Sequence, residues 1–420
     1  MLSPTPPARQ TDPIRVAVVG AGFVARGLLH RLARRPGIGG ILVANRTPER
    51  GVEALERAGV TTADILVSDD PAELADALAD GRPSVTRDAS VLPEVAGIDV
   101  VVEVTGAMEF GTKVILAALE SGRHVVSMNA EVDALLGHHL DAVAGSSGAT
   151  YSIGDGDQPG VLLRMLDEAT TLGLEPVVAL NCKRNLNVYQ SLSDSRPFAE
   201  RDGTSVHMTT AFGDGTKMHI ENVVTANLSG LTPAPVGTPG VRTELAQVAD
   251  DVRAAGIPAG SVHFTLGGDF GGGVLVLASS PDPEFDAPYL RYGKLGDGPW
   301  YPLFRPYHLI HMEVPTTIEQ VAGGGPALGR RTEAPVARCV AVAKRDLAPG
   351  DALDGIGGDG CYGVAAASTD AAGLLEIGLS EHARVRRDVP IDRPITLDDV
   401  ELDDDAYLVR LHRDAEAARA

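Results

Sequence analysis

Two lysines stand in surroundings that could support acid–base chemistry. Lys183 lies in the segment Asn181-Cys-Lys183-Arg-Asn185 after an apolar stretch, and Lys217 closes the sequence Asp214-Gly-Thr-Lys217. An amine can donate a proton near neutral pH when burial or a neighbouring cation lowers its pKa. We favour Lys183, because it ends a predicted strand among amides suited to hydroxyl recognition. Each lysine could instead be an ordinary solvated cation.

Four acidic residues form a second candidate set: Glu131, Asp155, Asp157 and Glu221. We take Glu131 and Glu221 as candidate catalytic carboxylates. If Glu131, Asp155 and Asp157 converge, they could hold Mg²⁺ or Mn²⁺ on adjacent oxygens of a hydroxyketone and polarise its carbonyl. The alternative is local, because Asp beside Gly commonly serves a turn, and Asp155 and Asp157 flank Gly156.

His308 is the histidine with the strongest case for chemistry. It could act as a general acid or bind substrate, because an imidazole titrates near neutral pH. Flanked by Tyr307 and Leu309, it could equally be a hydrogen-bonded core residue. For His219 and His311 we favour the structural role.

A glycine turn follows the first apolar stretch, which reads Ile14-Arg-Val-Ala-Val-Val-Gly20-Ala-Gly22-Phe23-Val24-Ala25. Gly20 would permit a tight turn, Gly22 would let the backbone approach a pyrophosphate, and Ala25 would let the helix pack closely on the strand. The amides of Phe23 and Val24 would then face the phosphate charge. The pattern predicts the phosphate loop of a dinucleotide-binding fold.

The end of the next strand, residues 41–44, bears on the choice of nicotinamide coenzyme. An NAD site usually carries Asp or Glu there, which would repel a 2′-phosphate. This chain has Asn45-Arg46-Thr47 instead. Arg46 could lie on the 2′-phosphate and Thr47 could bond it, so we predict NADP(H) over NAD(H). Alternatively, Arg46 is a solvated charge at the start of a helix.

Residues 14–153 alternate strand and helix patterns, which predicts an α/β fold with a Rossmann-type doubly wound parallel sheet. Ligands bind at the carboxyl ends of such strands, so we add Thr105, Gly106 and Asn129 to the coenzyme-binding set. An α+β catalytic domain should follow over residues 154–325. A small β-rich unit should cover 334–413.

Composition limits the classes of partner. The chain has 420 residues and a formal net charge of −21, which opposes attraction to phosphate polymers and anionic membranes. It contains no apolar run of membrane-spanning length, and residues 1–11 lack the order of a signal peptide. We expect a cytoplasmic protein that binds neither nucleic acid nor membrane. The cysteines at 182, 339 and 361 are too widely spaced to indicate a disulfide framework or structural zinc.

Several segments across residues 14–410 carry a family resemblance: Val102-Glu-Val-Thr-Gly106, His124-Val-Val-Ser-Met-Asn-Ala-Glu131, Tyr151-Ser-Ile-Gly-Asp-Gly-Asp-Gln-Pro159, Asp214-Gly-Thr-Lys217 with Glu221 and Asn227, Arg305-Pro-Tyr-His308-Leu309, and Ala341-Val-Ala-Lys-Arg-Asp-Leu-Ala-Pro-Gly350. They resemble homoserine-dehydrogenase-like oxidoreductases with a C-terminal SAF domain, a family that includes 1-deoxy-xylulose 5-phosphate reductoisomerase-like enzymes. The resemblance favours a functional role for His308 and a SAF-like unit over 334–413. Two places depart from it: Ala130 stands where homoserine dehydrogenases place a lysine, and the loop after Cys182 matches the reductoisomerase pattern only in part.

We therefore predict an NADP(H)-dependent oxidoreductase that reduces a small polar hydroxycarbonyl compound, sugar phosphates included, as a reductase or reductoisomerase. We also expect a homo-oligomer. One alternative is a homoserine-type dehydrogenase. Another is a non-catalytic NADP(H)-binding sensor or scaffold, which would have no need for Lys183, Glu131 and His308.

Overall fold

The computed structural model describes residues 12–268 and 270–419, so the segment on which the absence of a signal peptide was judged lies outside the described residues. The strands are β1 (Ile14–Val19), β2 (Ile38–Ala44), β3 (Leu66–Val67), β4 (Ser84–Thr86), β5 (Val100–Glu103), β6 (His124–Ser127), β7 (Tyr151–Ile153), β8 (Glu175–Lys183), β9 (Thr232–Pro233), β10 (Val241–Arg242), β11 (Ser261–Leu266), β12 (Val274–Ser279), β13 (Tyr301–Arg305), β14 (Ala337–Ala343), β15 (Cys361–Ala367), β16 (Ala383–Val385) and β17 (Val400–Leu402).

The helices are α1 (Phe23–Leu32), α2 (Pro48–Arg57), α3 (Pro71–Ala79), α4 (Met108–Glu120), α5 (Ala130–Ser147), α6 (Gln158–Thr171), α7 (Leu192–Asp202), α8 (Val206–Gly213), α9 (Thr216–Ser229), α10 (Val248–Ala254), α11 (Pro283–Tyr292), α12 (Ile310–Ala322) and α13 (Tyr407–Ala417). None of these helices is long and apolar enough to cross a membrane in the part of the chain that is described.

The first of two compact units comprises the chain up to Gly160 together with Leu309–Leu328. Its seven-stranded parallel sheet has the order β3-β4-β2-β1-β5-β6-β7. The order runs outward in opposite directions from β1 and β5, which makes their carboxyl ends the switch point where ligands bind in such sheets. The prediction of a Rossmann-type doubly wound sheet is confirmed.

Helix α1 packs on this sheet as its sequence pattern predicts. Ala25, Leu28, Leu29 and Leu32 form one apolar stripe and are buried. Ala25 is fully buried, so its small side chain allows the close helix–strand contact that the glycine pattern implied.

Helix α12 completes the core of the same unit, although the sequence pattern had placed it in a catalytic domain over 154–325. Val314, Ile318 and Val321 are fully buried in the core that β1 and α1 share. The helices also approach closely at Gly27, where a Cβ would lie 2.6 Å from the His311 ring. An apolar stripe shows that a helix is amphipathic but not which sheet it covers, so the chain divides differently from the three expected segments.

The second unit comprises Val161–His308 and the chain from Gly329 onward. Its main sheet has the order β10-β11-β8-β12-β13, with β9 beside β11. The long strand β8 runs parallel to β11 and antiparallel to β12, which makes the sheet mixed. This is the α+β architecture that we predicted. The C-terminal segment adds two small antiparallel sheets, β14-β15 and β16-β17.

Helix α9 is the best-buried helix of the second unit and carries much of the candidate chemistry. Nearly all of its residues are buried, because it packs against β11 as well as against β14 and β15 of the C-terminal segment. Its sequence contains Lys217, Glu221 and Asn222, so polar groups are buried together with apolar ones. Such groups are costly to bury unless the fold provides partners for them.

Candidate active site

The turn after β1 has the geometry of a phosphate loop. Gly20 has a φ of +117°, a conformation that L side chains rarely adopt, and its amide donates to the Ala44 carbonyl at 2.9 Å. Gly22 begins α1, and a Cβ there would meet nothing within 4 Å. No side chain caps the N-terminus of α1, so the amides of Phe23 and Val24 face an open space suited to an anion. The loop therefore fits a dinucleotide diphosphate.

The strand ends beside this loop are built around a carboxylate that we had not assigned a role. Glu103 ends β5 and is fully buried, and burial raises the pKa of its carboxyl. It accepts hydrogen bonds from the Thr105 amide, at 2.7 Å, and from the Thr105 hydroxyl. Asn129 caps α5 by accepting from the Val132 amide at 3.3 Å. Thr105 and Asn129 thus shape the strand ends, and Gly106 turns the chain with a φ of +67°.

The end of β2 presents no carboxylate where an adenosine ribose would lie. Asn45 donates from Nδ2 to the Thr47 carbonyl at 2.7 Å, which fixes the turn into α2. Arg46 is exposed, and Thr47 stands at the N-cap of α2 without bonding to the helix amides. The nearest acidic side chain along the chain is Glu49, in the first turn of α2. The end of β2 thus carries an exposed cation and has no acidic side chain over residues 45–47.

The acidic turn after β7 serves the backbone. Asp155 Oδ1 accepts from the Gly156 amide at 2.8 Å, and Asp157 Oδ1 accepts from the Gln158 amide at 3.0 Å. Glu131 lies buried in the first turn of α5. Across residues 12–268 and 270–419, no three His, Cys, Asp or Glu side chains gather as metal ligands would. The turn uses Asp155 and Asp157 as local acceptors, and this arrangement gives no support to the predicted Mg²⁺ or Mn²⁺ site at 131, 155 and 157.

In the second unit, α9 and β8 bring buried polar side chains together. Lys217 and Glu221 lie one turn apart on α9 and are 6% and 1% exposed. The alternative in which Lys217 is a solvated cation is therefore wrong. Asn181 of β8 donates from Nδ2 to Asn222 Oδ1 of α9 at 3.2 Å. Lys183 follows two residues later on the same strand face. It therefore emerges on the side of the sheet that α9 covers.

Lys183 ends β8 half-buried, as predicted for a strand-end residue. Its ammonium group lies 6.0 Å from the centre of the Phe212 ring. An aromatic face attracts a cation and at the same time limits its contact with water. The neighbouring Cys182 points to the opposite, apolar face, and burial raises the pKa of its thiol to about 12. Lys183 and Cys182 therefore lie on opposite faces of β8.

Two histidines take different roles in this unit. His219 of α9 is half-buried, with its ring edge-on to Phe264 at 5.4 Å between centres. Burial, then the nearby His263 and Lys183, lower its pKa to about 3, so His219 is neutral at pH 7 and is no general acid there. His308 follows β13 and is half-buried between exposed Tyr307 and Leu309. It is therefore not a core residue.

The C-terminal segment holds both ends of α9, which sequence reasoning missed. Lys344, at the end of β14, donates from Nζ to Asp214 Oδ2 at 2.7 Å and to the Gly358 carbonyl at 2.6 Å. Asp214 in turn accepts from the Thr216 amide at 2.8 Å, in the first turn of α9. At the other end, Asn227 Oδ1 accepts from the Val336 and Ala337 amides at 2.9 and 3.1 Å. The helix that bears Lys217 and Glu221 is thus fixed along its axis.

Two family models match successive parts of the chain. Residues 20–153 match the NAD-binding domain of homoserine dehydrogenase, and residues 156–314 match the catalytic domain of oxidoreductase DRL. The first match covers the phosphate loop, and the second covers β8 and α9. The chain is therefore similar to an NAD-binding domain and, directly after it, to an oxidoreductase catalytic domain.

Individual proteins are similar over shorter stretches or at lower identity. A homoserine dehydrogenase from Methylobacillus glycogenes is 33% identical over 117 residues, which are 28% of this chain and 25% of that protein. The match thus spans a quarter of the length of that relative. The scyllo-inositol dehydrogenase from Lactobacillus casei, solved with NAD(H) and scyllo-inositol, is 13% identical. The match covers 70% of this chain and 69% of that protein, with a TM-score of 0.34.

A variant of a 3-ketoreductase from Actinomadura kijaniata, solved with TDP-benzene and NADP, is 16% identical over 75% of this chain and 92% of its own, with a TM-score of 0.39. With TM-scores this low, neither structural likeness bears on what this chain binds.

The Lys344–Asp214 pair gives a stability prediction. Both side chains are almost completely buried, so Lys344→Met leaves a carboxylate without its cation and should lower the free energy of unfolding by about 3–5 kcal/mol in urea. Adding Asp214→Asn should recover part of the loss. The matched control is Arg345→Met on the exposed next residue, which should cost less than about 1 kcal/mol. Equal losses for the two single variants would contradict the assignment.

His219 gives a prediction for pH dependence. Its pKa is about 3 when folded, against about 6.5 in an unfolded chain, so the unfolded chain binds more protons between these values. Its stability contribution is complete above pH 6.5 and falls by about 2 kcal/mol at pH 5. His219→Phe should reduce the stability difference between pH 8 and pH 5 by that amount. Exposed His207→Phe should not, and an unchanged pH dependence in both variants would refute the prediction.

Proposed function

We propose that the protein is an NAD(P)-dependent oxidoreductase that uses NADPH to reduce a small polar hydroxycarbonyl compound, sugar phosphates included. The observation that carries the proposal is the buried polar face of α9 opposite the end of β8, where Lys217 and Glu221 lie with Lys183 on the same side of the sheet. Buried charges are costly, and a cluster of them near a strand end supports a site for a polar ligand. A substrate with several hydroxyl or carbonyl oxygens is a ligand that such a polar face can bind.

The first unit holds the coenzyme in this proposal, which supplies a hydride when bound. The Gly20–Gly22 loop and the first amides of α1 hold the diphosphate, as the open space at Gly22 supports. Arg46 and Thr47 hold a 2′-phosphate, which is our reason for NADPH over NADH. The absence of an acidic residue over 45–47 supports this preference.

The second unit supplies the proton. Lys183 donates it from Nζ to the oxygen of the carbonyl that is reduced, and the nearby Phe212 ring holds the ammonium group in place. Lys217 and Glu221 orient the hydroxyl groups of the substrate from α9. Glu131 and His308 remain the other proposed catalytic residues. Carbonyl reduction is accelerated by a positive group that stabilises the developing alkoxide.

We propose that the C-terminal segment, which resembles a SAF domain, acts by holding α9. Its contacts at Asp214, Thr216 and Asn227 support this role. A catalytic group held to within a fraction of an ångström is worth far more than one on a mobile helix. The segment itself then needs no catalytic residue.

A homoserine-type dehydrogenase is the second candidate. The match of residues 20–153 to the homoserine dehydrogenase NAD-binding domain favours it. Ala130, in place of the family's lysine, weighs against that chemistry. Oxidation of homoserine by NADP⁺ and consumption of NADPH with tetrose, pentose and deoxyketose phosphates distinguish the candidates. Adding Mg²⁺ in parallel tests for a rearrangement before reduction.

Replacement of Lys183 tests the catalytic assignment. Lys183→Met should lower turnover of the best substrate in that screen at least about 100-fold, because general acid catalysis is lost. The affinity for NADPH, measured by its fluorescence, should not change. Lys113→Met, an exposed lysine on α4, is the matched control and should keep full turnover. A Lys183→Met enzyme with full activity would overturn the assignment. A wild-type protein that binds NADPH but turns over no substrate in the screen would favour the sensor alternative.

Replacement of Arg46 tests the coenzyme preference. Arg46→Ala should weaken NADPH binding about 10- to 100-fold, as expected for one charge-assisted contact to phosphate. NADH binding should change little, because its ribose lacks the phosphate. Arg50→Ala, on the exposed side of the next turn, is the control. Equal losses for both coenzymes on titration would refute the role of Arg46.

A further inference from the structure

Helix α11 presents an aromatic stripe to solvent. The helix has no buried residue, and only Leu290 packs in part against a small core that includes Ala278. Phe285, Tyr289 and Tyr292 are 64%, 63% and 90% exposed. Their spacing of four and three residues puts them on one side of the helix. Three large exposed aromatics in one stripe are typical of an interaction surface.

Opposite charges stand toward the two ends of the stripe. Glu284 lies in the first turn of α11 and Arg291 in the last. Arg291 comes seven positions after Glu284, so the two lie on the same flank of the helix, about 10 Å apart along its axis. Arg291 pairs with Asp297 at 2.5 Å, but both side chains are exposed and such a pair contributes little. The guanidinium can therefore exchange this partner for another carboxylate.

We propose that α11 forms the interface of a homodimer, in which the helices of two copies pack antiparallel across a two-fold axis. A two-fold axis perpendicular to both helices keeps the same flank of each on the same side. Glu284 of each copy then faces the partner's Arg291, and the pair forms twice. Tyr289 lies near the axis, where the two aromatic stripes meet.

A second copy fits this surface better than an unrelated protein does. The charge pattern is its own complement when the helix is reversed, which is the requirement of an isologous interface. The three aromatics offer roughly half of the ~800 Å² per partner that a stable interface buries. Their flanking residues, including Glu284, Pro288 and Arg291, are exposed and can supply more.

Sedimentation velocity of the full chain over a range of concentrations tests the aromatic part. The wild-type chain should be dimeric at micromolar concentration. Tyr289→Glu should raise the dissociation constant at least tenfold while the thermal melt is unchanged, since no buried contact is lost. The matched control is Phe198→Glu on α7, whose aromatic is 51% exposed and which should leave the dimer intact.

Charge reversal tests the antiparallel pairing. Glu284→Arg and Arg291→Glu should each weaken the dimer, because like charges then face each other twice. The double variant restores opposite charges and should recover most of the wild-type affinity. A monomer at every concentration, a dimer indifferent to Tyr289→Glu, or a double variant no tighter than the single ones would overturn the proposal. If the protein is a monomer, the aromatic stripe is instead expected to bind a different protein.

Discussion

The burial of α9 is the constraint on which the second unit depends. A helix covered on the sheet side and by the C-terminal strands can carry polar residues only where the fold provides each with a partner. The Asn181–Asn222 bond and the Lys344–Asp214 pair meet that need at separate points along the helix. These contacts also hold Lys217 and Glu221 in register with the end of β8. The packing that buries α9 therefore also determines where its candidate catalytic residues lie.

The first unit depends on a steric condition at its phosphate loop. Gly20 adopts a backbone conformation that other residues rarely take, and a Cβ there would lie 3.2 Å from the Val104 side chain. The loop therefore turns tightly enough for α1 to start directly above the strand ends. A helix N-terminus with no capping side chain has amides to offer, and a diphosphate is a suitable acceptor. The backbone conformation at Gly20 thus places the first amides of α1 where they can bind an anion.

The features that follow from local pattern were predictable from the sequence. Residues 16–19 of β1 and 100–102 of β5 are continuous apolar runs because they are buried on both faces, and the glycines after β1 mark the turn. The position of Lys183 was predictable because the end of its strand is visible in the pattern. Long-range partners were not predictable from the sequence. The residues around Lys344 do not indicate that it binds Asp214, and the sequence around Asp157 is compatible both with a metal ligand and with a turn residue. The destination of α12 was missed for the same reason.

The path of the chain through the two units has a consequence for biosynthesis. The core of the nucleotide-binding unit lacks Val314, Ile318 and Val321 until the segment ending at Leu328 has been made. On the ribosome, a nascent chain that ends before this point therefore exposes an apolar surface on α1 and the adjoining strands. Each of the two units is built from two separate segments of the chain, so the Rossmann-type fold becomes complete only after its second segment has been synthesised.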